Sequence, residues 1–149
     1  MEKSNYKKFY LMLLVSSVIM YVVMYLNVND IDHVYFSLTR LYMTVLMITA
    51  MAVVMLLMMR QMYNNPRTNV IILSVSIGIF ILALIGVHRQ TFVGDRAYLK
   101  AMIPHHSIAI MTSENAHLQD PEVRRLADSI ISAQKREISQ MQRILKRTE

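Results

Sequence analysis

The chain has 149 residues, 54% hydrophobic and 17% charged, with a formal net charge of +6. Soluble domains carry about a quarter charged residues, so this composition excludes an ordinary soluble domain and calls for a lipid solvent. The positive charge does not mark a nucleic-acid binder, because the basic residues of the C-terminal part alternate with acids such as Glu122, Asp128 and Glu137 and lack interleaved aromatics. Without cysteine, disulfides and thiolate metal sites are excluded too.

Residues 9–26, 41–59 and 70–87 contain no charged residue. Each run is about long enough to cross a ~30 Å hydrocarbon core at 1.5 Å per residue, which predicts three transmembrane helices. The first run exceeds the ~7–15 residues of a signal-peptide core and is followed by Asn27-Val28-Asn29-Asp30 rather than a small-x-small site, so it reads as a span. Lys3, Lys7 and Lys8 precede span one and Arg60 and Arg67 follow span two, whereas the intervening loop holds Arg40 beside Asp30 and Asp32. This bias predicts a multi-pass protein of a bacterial inner membrane with a cytoplasmic N-terminus and a periplasmic or extracellular C-terminal domain, although Arg89, Arg96 and Lys100 fall on the outer side.

Residues 1–90 thus form a membrane domain, and residues 91–149 an all-α domain outside it. Asp95 is the expected N-cap of a helix reaching about Leu118, with a kink or wider turn expected at Pro104 because proline cannot donate and clashes with the carbonyl of Lys100. A second helix is predicted from the N-cap Asp120, Pro121 at the first helical position and Glu122 in the first turn, ending near Lys146. Its apolar stripe is Val123, Leu126, Ile130, Ile138, Met141 and Leu145, interrupted by Gln134. The short link between the helices predicts an antiparallel hairpin, too small for a secure core of its own and therefore expected to form a homo-oligomer or pack on the membrane domain.

Met102-Ile103-Pro104-His105-His106 is the most informative stretch, since Met102 lies one turn from both histidines. Hairpin geometry sets His105 and His106 opposite Gln134, and Met102 opposite Glu137 and Ile138 with Met141 one turn on. A single His or Met is ordinarily surface or core filler, but a His pair, a Gln in an apolar stripe and a kinking Pro at one level point to a metal or ligand site. A further series, Met43, Met47, Met51, Met55, Met58, Met59 and Met62, puts thioethers along span two, with Met12, Met20 and Met24 on span one. Thioethers favour copper(I) or silver(I), so Met43, Met47, Met51 and Met55 are candidates for a metal pathway as well as for packing.

The segments MIPHHSIAIM, DPEVRRLADSII and AQKREISQM resemble the family called domain of unknown function 305, over roughly residues 95–147. The resemblance implies a ferritin-like helical arrangement in a membrane-anchored branch, with links to copper in some members. Carried over by position, it implies Asp95, Met102, His105, His106, Gln134, Glu137 and Met141 as site residues; the Trp that often follows the last Met is absent here, with Ile144 nearby.

All five histidines, His33, His88, His105, His106 and His117, fall on the side assigned as external; His33 and His88 read first as interface residues and His117 as remote from Met102. Glu114-Asn115-Ala116-His117 is a Glu-x-x-His motif of the type used in di-iron sites, which would need two such motifs and further carboxylates. No nucleophile with its base and no phosphate-binding glycine loop is present, so no enzyme is expected. The reading is a membrane-anchored protein that binds copper, as copper(I) with copper(II) or silver as alternatives, through Met102, His105, His106 and Met141, with Glu137 and Gln134 alongside. A metal-free oligomeric scaffold is the alternative, transport through an oligomer a third reading, and a di-iron oxidase a more distant one.

Overall fold

The computed structural model describes residues 2–148. Among these are five α-helices, α1 (Glu2–Val23), α2 (Leu38–Met58), α3 (Pro66–Arg89), α4 (Asp95–Asn115) and α5 (Pro121–Arg147), with a short 3₁₀ turn at Ile31–His33 and no strand. The chain is all-α, and three segments are long and apolar enough to cross a membrane: Asn5–Val23, Leu38–Met58 and Pro66–Arg89. It divides into two compact units, Met1–Val23 with Thr39–Phe92 and Met24–Leu38 with Val93–Glu149. The loop between the first two apolar helices clusters with the C-terminal helices.

In the first unit, α3 starts where Asn65 accepts a hydrogen bond from Thr68 N–H and Pro66 takes the first turn, where its missing N–H costs nothing. It stops at Gln90, which adopts the left-handed conformation and is steadied by Thr39, whose hydroxyl donates to the Gln90 side-chain oxygen. The core is Phe9, Ala52, Met55, Leu56, Tyr63 and Ile72. Phe9 and Tyr63 meet edge-to-face with centroids 5.3 Å apart, the arrangement favoured by the ring quadrupoles. Tyr6 donates to the Asn69 side chain at 2.7 Å, and Asn69 donates to the Tyr63 carbonyl, so the polar groups beside the aromatics are partnered.

The methionine series divides. Met55 is buried and Met51 and Met59 pack against the same core, whereas Met43 and Met47 are exposed. Steps of four residues advance by about 400°, so such a row drifts around a straight helix instead of holding one face. Two apolar grooves of this unit, one along Phe9, Leu13 and Ile72 and one along Val53, Ser76 and Phe80, are lined without methionine.

In the second unit α4 and α5 pack on each other through Leu99, Ile103, Ile110, Ile138, Met141 and Leu145. Leu99, Ile103, Ser107 and Ile110 recur at spacings of three and four, which puts them on one buried stripe of α4. Gly94 rather than Asp95 is the N-cap of α4; Asp95 is already helical and places its carboxylate in the first turn, where the helix dipole favours it. The helix ends at Asn115, earlier than Leu118, and runs unbroken through the buried Pro104. α5 starts as expected, with the Asp120 carboxylate accepting from the N–H groups of Glu122 and Val123.

Candidate functional site

Successive residues on a helix point about 100° apart, so neighbouring histidines cannot both face inward. On α4 it is His106 that turns toward α5, with 15% of its side chain accessible, while His105 is exposed. Their ring centroids lie 5.9 Å apart. His106 Nδ1 is 3.1 Å from Glu137 Oε2. The contact is short but misaligned, and Nδ1 remains a buried polar atom without a hydrogen bond.

The second such atom among the described residues is Gln134 Oε1, on α5. Glu137 lies one turn C-terminal to Gln134, on the same flank of α5. Met141 is buried within the α4–α5 core, and Met102 packs against that core from α4. The arrangement brings an imidazole nitrogen and an amide oxygen without hydrogen bonds to two helices whose shared core holds Met141, with Met102 packed against it.

Loss of solvent lowers the pKa of His106 below its ordinary 6.5, as does His105; Glu137 acts in the opposite sense without overcoming the desolvation. The imidazole is therefore held neutral at pH 7, the form able to use a lone pair for a ligand.

The other sequence candidates separate from this group. Asp95 is exposed at the start of α4, and among the described residues no three His, Cys, Asp or Glu side chains are placed to hold an ion together. Glu114 pairs with Lys135 at 2.8 Å, and His117 lies beyond the end of α4, so the Glu-x-x-His spacing does not become one helical face. His88 belongs to the first unit, in the last turn of α3.

His33 is an interface residue, as expected, and its partner is Ser107 of α4. Its Nδ1 lies 2.9 Å from the hydroxyl of Ser107, which also accepts a hydrogen bond from the Asn29 N–H at 2.7 Å. Ser107 is fully buried, and its one hydroxyl ties the loop of residues 24–38 to α4. The signal was present in the sequence as a serine within the stripe of Ile103 and Ile110, since a buried hydroxyl needs a partner.

Comparison with known proteins places these features in a family. An uncharacterised protein of Acanthamoeba polyphaga mimivirus, L153, is 35% identical over 119 residues, covering 78% of this chain and 76% of its own. No solved structure matches the chain. The profile of the family described as Domain of unknown function (DUF305) matches residues 85–145, the stretch that carries α4, α5 and the His106–Gln134 group, and the chain belongs to that family.

Proposed function

We propose that this chain is a multi-pass membrane protein presenting α4 and α5 outside the bilayer as an antiparallel, ferritin-like hairpin, and that the hairpin binds copper(I) or silver(I). His106, Met102 and Met141 would hold the ion, with Glu137 and Gln134 beside them and His105 at the exposed side. The observation that carries the reading is the pair of buried polar atoms without hydrogen bonds, His106 Nδ1 and Gln134 Oε1. Buried polar groups are almost always partnered, and an orphan beside soft donors points to an absent ligand. One neutral imidazole with thioethers suits a soft, low-coordinate monovalent ion, whereas harder divalent ions prefer nitrogen and oxygen sets of the kind not found among the described residues. The role is metal homeostasis or resistance, without catalysis. Lys3, Lys7 and Lys8 at the N-terminal end of span one, with Arg60 and Arg67 after span two, support a cytoplasmic N-terminus in a bacterial inner membrane.

Competitive copper(I) titration of the purified full chain tests the site. One ion per chain is expected, with affinity reduced at least about tenfold in His106→Ala and again in Met141→Leu, which preserves core volume. Unchanged stoichiometry and affinity in both variants would sink the reading.

A second reading has its own support. Val123 and Leu126 are exposed at the start of α5, and a second copy could cover them as well as satisfy Gln134. A metal-free homo-oligomeric scaffold would keep its mass and fold in a strong chelator, and Gln134→Leu would alter its assembly without touching copper binding.

A further inference from the structure

A cavity of about 360 Å³ lies within the second unit, lined by Asp32, Tyr35, Lys100, Gln142, Leu145 and Lys146. It sits at the N-terminal part of α4 and the C-terminal end of α5, with Asp32 from the 3₁₀ turn and Tyr35 just beyond it. Leu145 belongs to the buried core, and the remaining five lining residues are polar or charged. The volume is within the ~300–1,000 Å³ range of small-molecule sites.

Two cations and one carboxylate line it, leaving a net positive charge. Among the described residues neither Lys100, Lys146 nor Asp32 makes an ion pair. Lys100 has Arg96, Ala97, Ile103 and Pro104 at the adjacent helical positions, and Lys146 has Gln142 and Arg143 one turn back, so among the described residues no acid on either helix lies one turn from them. Lys146 gains from the negative end of α5, but Lys100, six residues into α4, has no such compensation. Two ammonium groups sharing a cavity repel each other, and an anion between them removes that cost. The Tyr35 hydroxyl and Gln142 amide add neutral donors.

Asp32 makes the pattern more selective than a plain anion site. A carboxylate beside two cations disfavours a compact, multiply charged anion and favours a ligand with a phosphate at one end and a protonated amine at the other. We propose that this cavity binds a phosphoethanolamine group, the phosphate held by Lys100 and Lys146 through charge-assisted hydrogen bonds and the ammonium by Asp32. Such a group comes either from a soluble phosphomonoester or from the headgroup of phosphatidylethanolamine. The segment carrying Asp32 and Tyr35 joins two helices apolar enough to span a membrane, so both sources are tested.

Calorimetric titration of the detergent-solubilised full chain with O-phosphoethanolamine, inorganic phosphate and ethylamine addresses the soluble source. Native mass spectrometry after passage through phosphatidylethanolamine or phosphatidylcholine nanodiscs addresses the lipid. The proposal expects one of two patterns: saturable binding of O-phosphoethanolamine at least about tenfold tighter than either single-charge probe, or retention of phosphatidylethanolamine in preference to phosphatidylcholine. In either case the Lys100→Gln, Lys146→Gln double variant abolishes the preference, Lys100→Arg with Lys146→Arg retains it, and Asp32→Asn removes the advantage over inorganic phosphate or phosphatidylcholine. These polar-to-polar changes avoid the buried core, so circular dichroism should be unaltered. Inorganic phosphate binding as tightly as O-phosphoethanolamine with no lipid preference, or any preference surviving the double Gln variant, would overturn it.

Discussion

The two units treat their polar groups differently. Around the core of the span-bearing unit Tyr6 donates to the Asn69 side chain, Asn69 to the Tyr63 carbonyl, and Thr49 to the carbonyls of Val45 and Leu46 one turn back. Among the described residues, the two buried side-chain polar atoms without hydrogen bonds, His106 Nδ1 and Gln134 Oε1, both belong to the α4–α5 unit. Unsatisfied groups in an apolar solvent cost several kcal/mol, so a unit built for lipid must satisfy itself. A unit that meets water can hold groups open for a ligand. The difference supports the proposal that ligand binding belongs to the second unit.

The strongest way to break that comparison is to empty the second core. Ile110 is 1% exposed, and Ile110→Ala should cost about 2–5 kcal/mol. The expected outcome is faster amide exchange throughout α4 and α5 with α1–α3 unchanged; equal loss of protection in both units would show that they do not open independently.

A smaller effect is expected from Ser107→Ala. Removing the hydroxyl leaves the Asn29 N–H and His33 Nδ1 without their partner, at about 1–3 kcal/mol. Exchange at residues 24–38 should accelerate while the α4–α5 core stays protected. An unaltered loop would mean that this anchor contributes nothing.

The smallest effect concerns pH and the metal-free protein. Because the folded His106 binds its proton less readily than the unfolded chain, its neutral form contributes stability that is complete above 6.5 and declines as pH falls toward its lowered folded value. Thermal midpoints of the second unit should fall over that window, and His106→Gln should flatten the slope. A slope unaffected by the substitution would assign the titration elsewhere.

Three span-length helices, the Asp120–Pro121 start of α5 and the family were legible because each depends on contiguous residues: hydropathy sums along a segment, and a cap is set by its nearest neighbours. The sequence also singled out His106 and Gln134, which carry the buried polar atoms without hydrogen bonds, since a Gln within an apolar stripe and a His pair behind a Pro break local rules. Which histidine would turn inward was not legible. His105 and His106 are chemically identical, and only the rotation of α4 against α5 distinguishes them.

Tertiary packing also decided the division of the methionine row, because drift of 40° per step buries Met55 and exposes Met43 only once the neighbouring helices are in place. The Ser107 contacts with Asn29 and His33 span more than 70 residues of sequence and follow from no periodicity. The cavity of Asp32, Lys100 and Lys146 likewise gathers charges from three separate elements. By itself the sequence determined the apolarity of each segment and the helices that result, because those are properties of local composition. The structure decided which polar groups meet, because that requires the chain to return on itself.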